Sequence, residues 1–209
     1  NADFNDIKFT NENGQQLSIE RLRYLVSKVT FYNQNQDTIV TTDYNLVDVT
    51  NNENLLFTLS DKIPAGTYSK VTFTFGFDET DNIDGVYTDL NTASFDVPPM
   101  LNGGYHYMQF DGKYINADNE ETGFNFHAIR AVDTTENKTE DTSFEVNLGE
   151  VTINNDTTVE VQADLSEWFK NPNTWDLNTL FESLMGNFEA QKQISANGKA
   201  VFSVQDSEN

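Results

Sequence analysis

The sequence contains no cysteine, which excludes disulfide bonds, thiol catalysis and thiolate metal ligands from this chain. It has only two histidines, His106 and His127, so any imidazole chemistry depends on these two positions. Twelve basic residues stand against thirty-four acidic ones, and the formal net charge is -22. A polyanion of this kind repels phosphate backbones, which predicts that nucleic acid is not a partner.

The sequence also lacks an apolar run of the length that crosses a membrane, which is about 20 residues. The chain opens on the polar stretch NADFND. We interpret this start as a mature or trimmed N-terminus, and we expect that any upstream signal or lipid-anchor segment has been removed. The sequence therefore predicts an extracytoplasmic protein, in the periplasm or on the outer-membrane surface, with no transmembrane segment.

Short stretches of alternating apolar and polar residues predict β-strands. The clearest lies at 71–75, where Val71, Phe73 and Phe75 share one face and threonines the other. Further strands are predicted at Phe4–Phe9, Leu17–Tyr32, Tyr44–Val49, Leu55–Leu59, Tyr105–Tyr114, Phe124–Val132, Ser143–Leu148, Thr157–Gln162 and Ala200–Val204. This pattern predicts a mainly β fold: a single antiparallel β-sandwich of immunoglobulin-like type, spanning residues 1–209 as one domain.

A few segments depart from the strand pattern. Apolar residues at helical spacing predict an amphipathic helix over Asp176–Met185, and a second short helix is predicted over Phe188–Ala196. Short helical turns are expected at Ser166–Phe169 and Ser18–Leu22, and Asp111-Gly112 is typical of a turn between two strand halves. We expect the C-terminal helices to pack on the sandwich.

The sequence lacks the motifs that mark common enzyme classes. There is no nucleophile elbow, no phosphate-binding loop, no dinucleotide fingerprint and no zinc-binding helix motif. Thirty-four acidic residues guarantee chance carboxylate pairs, so such pairs do not indicate a glycosidase. The sequence predicts a protein that is not an enzyme.

The acidic loop at 78–84 is a candidate calcium site. Asp78, Asp81, Asn82 and Asp84 could together form an irregular site for a hard cation, but the helix-loop-helix calcium pattern is not met because Thr80 takes the place of the first acid. A solvated turn after a strand is the favoured alternative.

His106 lies in the stretch YHYMQF. Strict alternation would place His106, Met108 and Phe110 on one face of a strand. A histidine and a methionine two residues apart on one face suit cuprous copper. The same row equally suits a partly buried core, which is the more frequent outcome.

His127 lies in the stretch FNFHAIR, on the more polar face of its predicted strand. A structural histidine held by hydrogen bonds and a metal ligand are both consistent with this position. If the strands 105–110 and 124–129 pair as a hairpin, the two imidazoles meet in space, although alternation alone does not give the register.

Several motifs occur together and in order across most of the chain, and they resemble the MbnP-like family of copper-associated bacterial envelope proteins. These stretches are NGQQLSIERLRYLVSKVTFY (13–32), IPAGTYSKVTFTFGFDE (63–79), MLNGGYHYMQFDGKY (100–114), FNFHAIRA (124–131), DLSEWF (164–169) and MGNFEAQKQISANGKAVFSV (185–204). The family is common among lipoproteins of Bacteroidetes, so the resemblance implies a secreted or cell-envelope protein with a β-sandwich fold.

The resemblance also implies copper bound through imidazoles and, in some members, an oxidised tryptophan. His127 matches the family's Phe-x-His pattern, and His106 follows the Gly-Tyr pair. Many family members carry tryptophans before that pair, whereas residues 100–103 hold none and the two tryptophans here are Trp168 and Trp175. The implied copper site therefore depends on His127 and His106.

Two functions follow from these observations. The first is metal binding or delivery through a weak or vestigial copper site at the two histidines. The alternative is a surface or adhesion module without metal, in which Tyr105, Tyr107 and Tyr114, or the turn-borne Tyr87, offer aromatic faces to a neutral glycan or a partner protein.

Overall fold

The structure, a computed structural model, describes residues 3–204. The fold is mainly β, built on an antiparallel curled sheet with a few short helices, as the sequence predicts. The strands are β1 Phe9–Thr10, β2 Gln16–Leu17, β3 Arg21–Tyr32, β4 Thr38–Val40, β5 Tyr44–Asp48, β6 Gly66–Tyr68, β7 Lys70–Phe75, β8 Met108–Ile115, β9 Glu121–Ala128, β10 Ala131–Asp133, β11 Lys138–Glu140, β12 Phe144–Asn147, β13 Val151–Ile153, β14 Val161–Ala163 and β15 Phe202–Val204. The α-helices are α1 Thr88–Thr92 and α2 Phe188–Gly198, and 3-10 turns lie at Pro99–Leu101, Leu165–Phe169 and Leu184–Gly186.

The largest sheet has nine strands and is organised around β3. Its order is β1-β2-β8-β3-β7-β12, with β4 and β5 also paired to β3 and β9 paired to β8. The register between β3 and β7 shifts between Ser27 and Thr30, where Lys28 has a positive φ of 50°. A bulge of this kind increases the local twist, which lets β3 curl and pair with four neighbours.

The main core lies between this sheet and the C-terminal segment. Phe126 on β9 contacts Trp175, with ring centroids 4.7 Å apart, and Phe169, with centroids 5.2 Å apart. Trp168 and Trp175 are both fully buried in this cluster. Aromatic side chains of this size contribute large buried areas, so they stabilise the fold despite the polar average composition.

The predicted helix over Asp176–Met185 is wrong. One turn forms at its start, in which the Asp176 carbonyl accepts hydrogen bonds from Thr179 and Leu180, and the 3-10 turn Leu184–Gly186 lies at its end. The Leu180 carbonyl then accepts from the indole Nε1–H of Trp175, and Ser183 has a left-handed φ of 58°. Both features stop the helical ladder, since an L-residue in that conformation cannot continue a right-handed helix. The other predicted C-terminal helix is confirmed as α2.

Other local predictions are wrong, and of the strand predicted at Phe4–Phe9 only Phe9 lies in a strand, β1. Asp111-Gly112 lies inside the continuous strand β8 rather than at a turn, Ser18–Leu22 forms no helical turn, and Leu55–Leu59 forms no strand. Residues 18–22 instead hydrogen-bond to β8, since the Ser18 N–H donates to the Lys113 carbonyl at 2.8 Å. Pairing with a neighbouring strand has overridden the local signals.

Within residues 3–204, every helix falls short of the length and apolarity that a membrane-crossing helix needs.

Candidate functional site

His106 is held at the entrance to β8 by the backbone of a neighbouring loop. Gly103 and Gly104 both have positive φ values, 61° and 81°, and turn the chain back towards residues 95–97. The backbone N–H of His106 then donates to the Phe95 carbonyl at 2.9 Å, and the ring Nδ1 lies 3.0 Å from the same oxygen. The side chain is buried, with 4% of its residue surface exposed.

The predicted alternation around His106 is wrong. Tyr105, His106 and Tyr107 are all buried, because β8 begins only at Met108 and the preceding residues follow an irregular path between two packed layers. Met108 therefore does not accompany His106; it belongs to the main core and pairs with Ala128 across the hairpin.

His127 lies on β9, where the predicted alternation holds. Phe126 and Ala128 are buried, whereas His127 is half-buried on the other face. β8 and β9 pair as an antiparallel hairpin, which is the condition under which the sequence predicts that the two imidazoles meet. In its register, Gln109 lies opposite His127 and Asp111 lies opposite Asn125. Side chains diagonal to one another on the same face of such a pair are within reach of each other.

Asp111 uses that diagonal position to hold His127. Its Oδ1 lies 2.8 Å from His127 Nε2 and also accepts from Asn125 Nδ2 at 2.6 Å, while Oδ2 accepts from Arg21 Nε. Burial alone would raise the pKa of Asp111, but the hydrogen bonds from His127 and Asn125 and the charge of Arg21 lower it to about 2. At neutral pH, Asp111 is thus an ionised carboxylate that can only accept hydrogen bonds.

The two histidines lie side by side. Their ring centroids are 5.2 Å apart and their planes meet at 79°. Burial and, to a lesser extent, the nearby His127 together lower the pKa of His106 to about 4, so the His106 ring is neutral at neutral pH. The structure thus brings together the two residues that the sequence indicated as candidate ligands.

The hydrogen bonds of each ring fix its tautomer. The Phe95 carbonyl can only accept, so the neutral His106 ring carries its proton on Nδ1 and presents a bare lone pair on Nε2. Asp111 likewise only accepts, so the neutral His127 ring carries its proton on Nε2 and presents a bare Nδ1. Metal-binding histidines are held in this way, with one nitrogen bonded to an acceptor and the other free to coordinate.

Sequence analysis missed Met185. Its Sδ lies 3.2 Å from His106 Nε2, although the two residues are 79 positions apart in the chain. Met185 was placed in the predicted helix, and its only other signal was its position at the start of the last family-like stretch, MGNFEAQ. Its proximity to His106 depends on the tertiary fold, which no local pattern reports.

The available donors suit a soft ion. Within residues 3–204, no three histidine, cysteine, aspartate or glutamate side chains are gathered closely enough to hold a metal ion. What the site offers is two imidazoles and a thioether. Nitrogen and thioether donors fit copper, and cuprous copper in particular, whereas calcium and magnesium require oxygen ligands.

The loop at 78–84 does not gather oxygens around a cation position. Asp78 and Asp81 both form ion pairs with Lys28, whose ammonium supplies the positive charge. Asn82 Oδ1 accepts from the Tyr105 N–H at 2.8 Å, and Asp84 Oδ1 accepts from the Gly104 N–H at 3.1 Å. These oxygens fix the loop that carries His106, which corrects the calcium hypothesis.

The tyrosine face predicted for the adhesion alternative is not available. Tyr105, Tyr107 and Tyr114 are fully buried. Tyr105 donates its hydroxyl to Asn91 Oδ1 at 2.8 Å, and Tyr87 packs on Phe77 with ring centroids 4.6 Å apart. The alternative is wrong for Tyr105, Tyr107 and Tyr114, because buried rings cannot stack on a glycan, whereas Tyr87 is half-buried.

An apolar cavity of about 1060 Å³ lies elsewhere in the fold. Its walls include Tyr24, Phe31, Phe73 and Phe202, and neither histidine lines it. The cavity therefore adds no donor to the pair of imidazoles.

Comparison with known proteins agrees with this fold. The family model described as MbnP matches residues 1–187. The solved structure of MbnP from Methylosinus trichosporium is similar to this chain with a TM-score of 0.50 and 12% sequence identity, covering 79% of this chain and 71% of that one. At this identity the likeness is one of fold alone. No curated protein matches the chain.

Proposed function

This chain belongs to the MbnP family, and from that premise we propose that it is an extracytoplasmic copper-binding protein, not an enzyme, which holds the ion through His106 and His127. The family is associated with copper. The observation that carries the proposal is the pair of imidazoles, whose ring centroids are 5.2 Å apart and which each have one nitrogen bonded to an acceptor. The second nitrogen of His106 faces the thioether of Met185.

Each residue around the pair has a definite part in the proposal. His106 Nε2 and His127 Nδ1 are the coordinating atoms. The Phe95 carbonyl and Asp111 hold the two rings in the required tautomers. Bound copper would supply a redox-active centre. The two imidazoles and the groups that hold them, the Phe95 carbonyl and Asp111, favour binding or delivery of the ion over catalysis on a substrate.

The proposal is tested by the thermal stability of the metal-free protein with and without one equivalent of Cu(I) or Cu(II). A ligand that binds only the native state stabilises it, by about 2.7 kcal/mol when free ligand exceeds Kd about 100-fold. For a chain of this size we expect a rise in Tm of about 5–10 °C. His127→Ala and His106→Ala should each remove the rise.

Glu121→Gln is the matched control, since Glu121 is an exposed residue on the same face of β9 that pairs with Lys113 rather than with Asp111 or a histidine. It should retain the rise in Tm. An unchanged melting curve of the unaltered protein with excess copper in both oxidation states would overturn the proposal.

A further inference from the structure

The contact between Met185 and His106 is not a hydrogen bond. Nδ1 of His106 donates to the Phe95 carbonyl, so Nε2 of the neutral ring carries no proton. The thioether of Met185 has no proton to give either, yet its Sδ lies 3.2 Å from Nε2. Two lone-pair donors therefore face each other, an arrangement that becomes favourable when a cation beside them accepts both lone pairs.

We propose that Met185 is a third copper ligand and that its thioether makes the site select Cu(I) over Cu(II). This inference rests on the proposed copper site at His106 and His127 and adds to it a sulfur ligand and an oxidation state. The donor set is then two imidazole nitrogens and one thioether sulfur. Soft thioether ligands select Cu(I), whereas Cu(II) favours nitrogen and oxygen donors in tetragonal geometry.

The fold holds Met185 at the site through Gln191. Met185 lies in the 3-10 turn Leu184–Gly186, and the Leu184 side chain is buried in the main core. The buried amide of Gln191 donates from Nε2 to the carbonyls of both Leu184, at 3.0 Å, and His127, at 2.9 Å. Its Oε1 accepts from the Ile129 N–H at 2.8 Å.

One side chain on α2 thus ties the methionine turn to the strand that carries His127. Because Gln191 is 1% exposed and every polar atom of its amide is bonded, the tie is rigid rather than incidental. Ligands held by satisfied buried hydrogen bonds are presented with little loss of entropy on binding. The hydrogen bonds of Gln191 are thus a second observation, beside the contact of Met185 with His106, that supports a site built from the segments carrying His106, His127 and Met185.

The test is Met185→Leu, which keeps the volume and removes the sulfur. Dissociation constants are measured for Cu(I), by competition with a colorimetric Cu(I) chelator under reducing conditions, and for Cu(II), by competition with a Cu(II) chelator. We expect the Cu(I) affinity to fall at least about tenfold, since even the loss of an outer-sphere partner costs about 10–100-fold. The Cu(II) affinity should change much less.

Met108→Leu is the matched control, because Met108 is a buried methionine of the same hairpin that does not contact His106. It should leave both affinities unchanged. Equal Cu(I) affinity in Met185→Leu and in the unaltered protein would overturn the role of Met185 and leave the histidine site standing. Failure of the unaltered protein to bind either ion would instead overturn the proposed function itself.

X-ray absorption of the Cu(I)-loaded unaltered protein gives a readout that does not depend on any variant folding. The proposal requires a sulfur scatterer in the first coordination shell. Because the chain has no cysteine, that sulfur must come from a methionine. A first shell of nitrogen and oxygen alone would contradict the inference.

Discussion

At the scale of single residues, the site depends on which nitrogen of each imidazole carries the proton. Phe95 and Asp111 decide this, because a carbonyl oxygen and an ionised carboxylate can only accept hydrogen bonds. The sequence indicated the two histidines but not these partners. Asp111 was assigned to a turn, and Phe95 lies in a stretch without a clear pattern.

The identity of the neighbouring methionine shows where residue-level prediction stops. Alternation placed Met108 beside His106, yet alternation applies only inside a regular strand, and β8 begins after His106. Met185 takes that place because α2 and the turn before it fold back over the hairpin. No pattern within a few residues of His106 could report a contact across 79 positions.

A residue-scale prediction concerns alkaline pH. Tyr24 on β3 packs against Phe75 and Phe202, and burial raises its pKa to about 12, from 10.0. A raised folded-state pKa gives stability that is present below pH 10 and lost as the pH rises through about 12. The loss is at most about 2–3 kcal/mol.

Tyr24→Phe removes this ionisation. Its free energy of unfolding should therefore fall less than that of the unaltered protein between about pH 9 and about pH 11, as measured by urea denaturation at each pH. Tyr32→Phe is the control, because it removes an exposed tyrosine hydroxyl from the same strand. It separates the effect of the buried position of Tyr24 from the general effect of replacing a tyrosine. Equal pH dependence in Tyr24→Phe and the unaltered protein would contradict the assignment.

At the scale of elements, the hairpin of β8 and β9 is the part of the site that the sequence predicted best. Strands were expected at Tyr105–Tyr114 and Phe124–Val132, and the alternation of phenylalanines on β9 placed His127 correctly. The register was not predictable, because it follows from packing of Phe124 and Phe126 against aromatic rings of the C-terminal segment.

The element-scale prediction concerns Gly112, which the sequence assigned to a turn. In the structure it lies within β8, and a Cβ added there would be 2.1 Å from the Ser18 carbonyl oxygen and 2.7 Å from the Phe124 ring. The glycine is needed because the backbone at Ser18 passes this close to the strand. Gly112→Ala should cost about 3 kcal/mol or more in the free energy of unfolding, measured with urea.

Gly123→Ala is the matched control on the partner strand. The nearest atom to its added Cβ is the Gly112 carbonyl oxygen at 4.0 Å, so its stability should stay within about 1 kcal/mol of the unaltered protein. If the two variants unfold at the same urea concentration, the close approach of Ser18 to β8 is incorrect.

At the scale of the whole molecule, composition and periodicity were sufficient for the fold class. Many short alternating stretches separated by turn residues predicted a mainly β antiparallel fold, and the order of motifs predicted the MbnP family. Both hold. The C-terminal segment was harder, because helical spacing in Asp176–Met185 reflects burial on an irregular path rather than a helix.

Net charge acts at this scale too. A charge of -22 predicts that nucleic acid is not a partner, and this stays a prediction. The carboxylate in direct contact with the histidine pair is Asp111, which bonds His127 and also accepts from Asn125 and Arg21. The candidate site is therefore built from nitrogen and thioether donors within a strongly acidic molecule.

The central claim is that two imidazoles with opposite tautomers converge on one copper ion. Long-range ¹H–¹⁵N correlation spectra of the uniformly ¹⁵N-labelled protein test it directly, because two histidines give only four ring-nitrogen signals. In the metal-free protein the account predicts a protonated Nδ1 on His106 and a protonated Nε2 on His127. Adding one equivalent of Cu(I), which is diamagnetic, should shift Nε2 of His106 and Nδ1 of His127 together. Reversed tautomers, or ring signals that do not move with Cu(I), would contradict it.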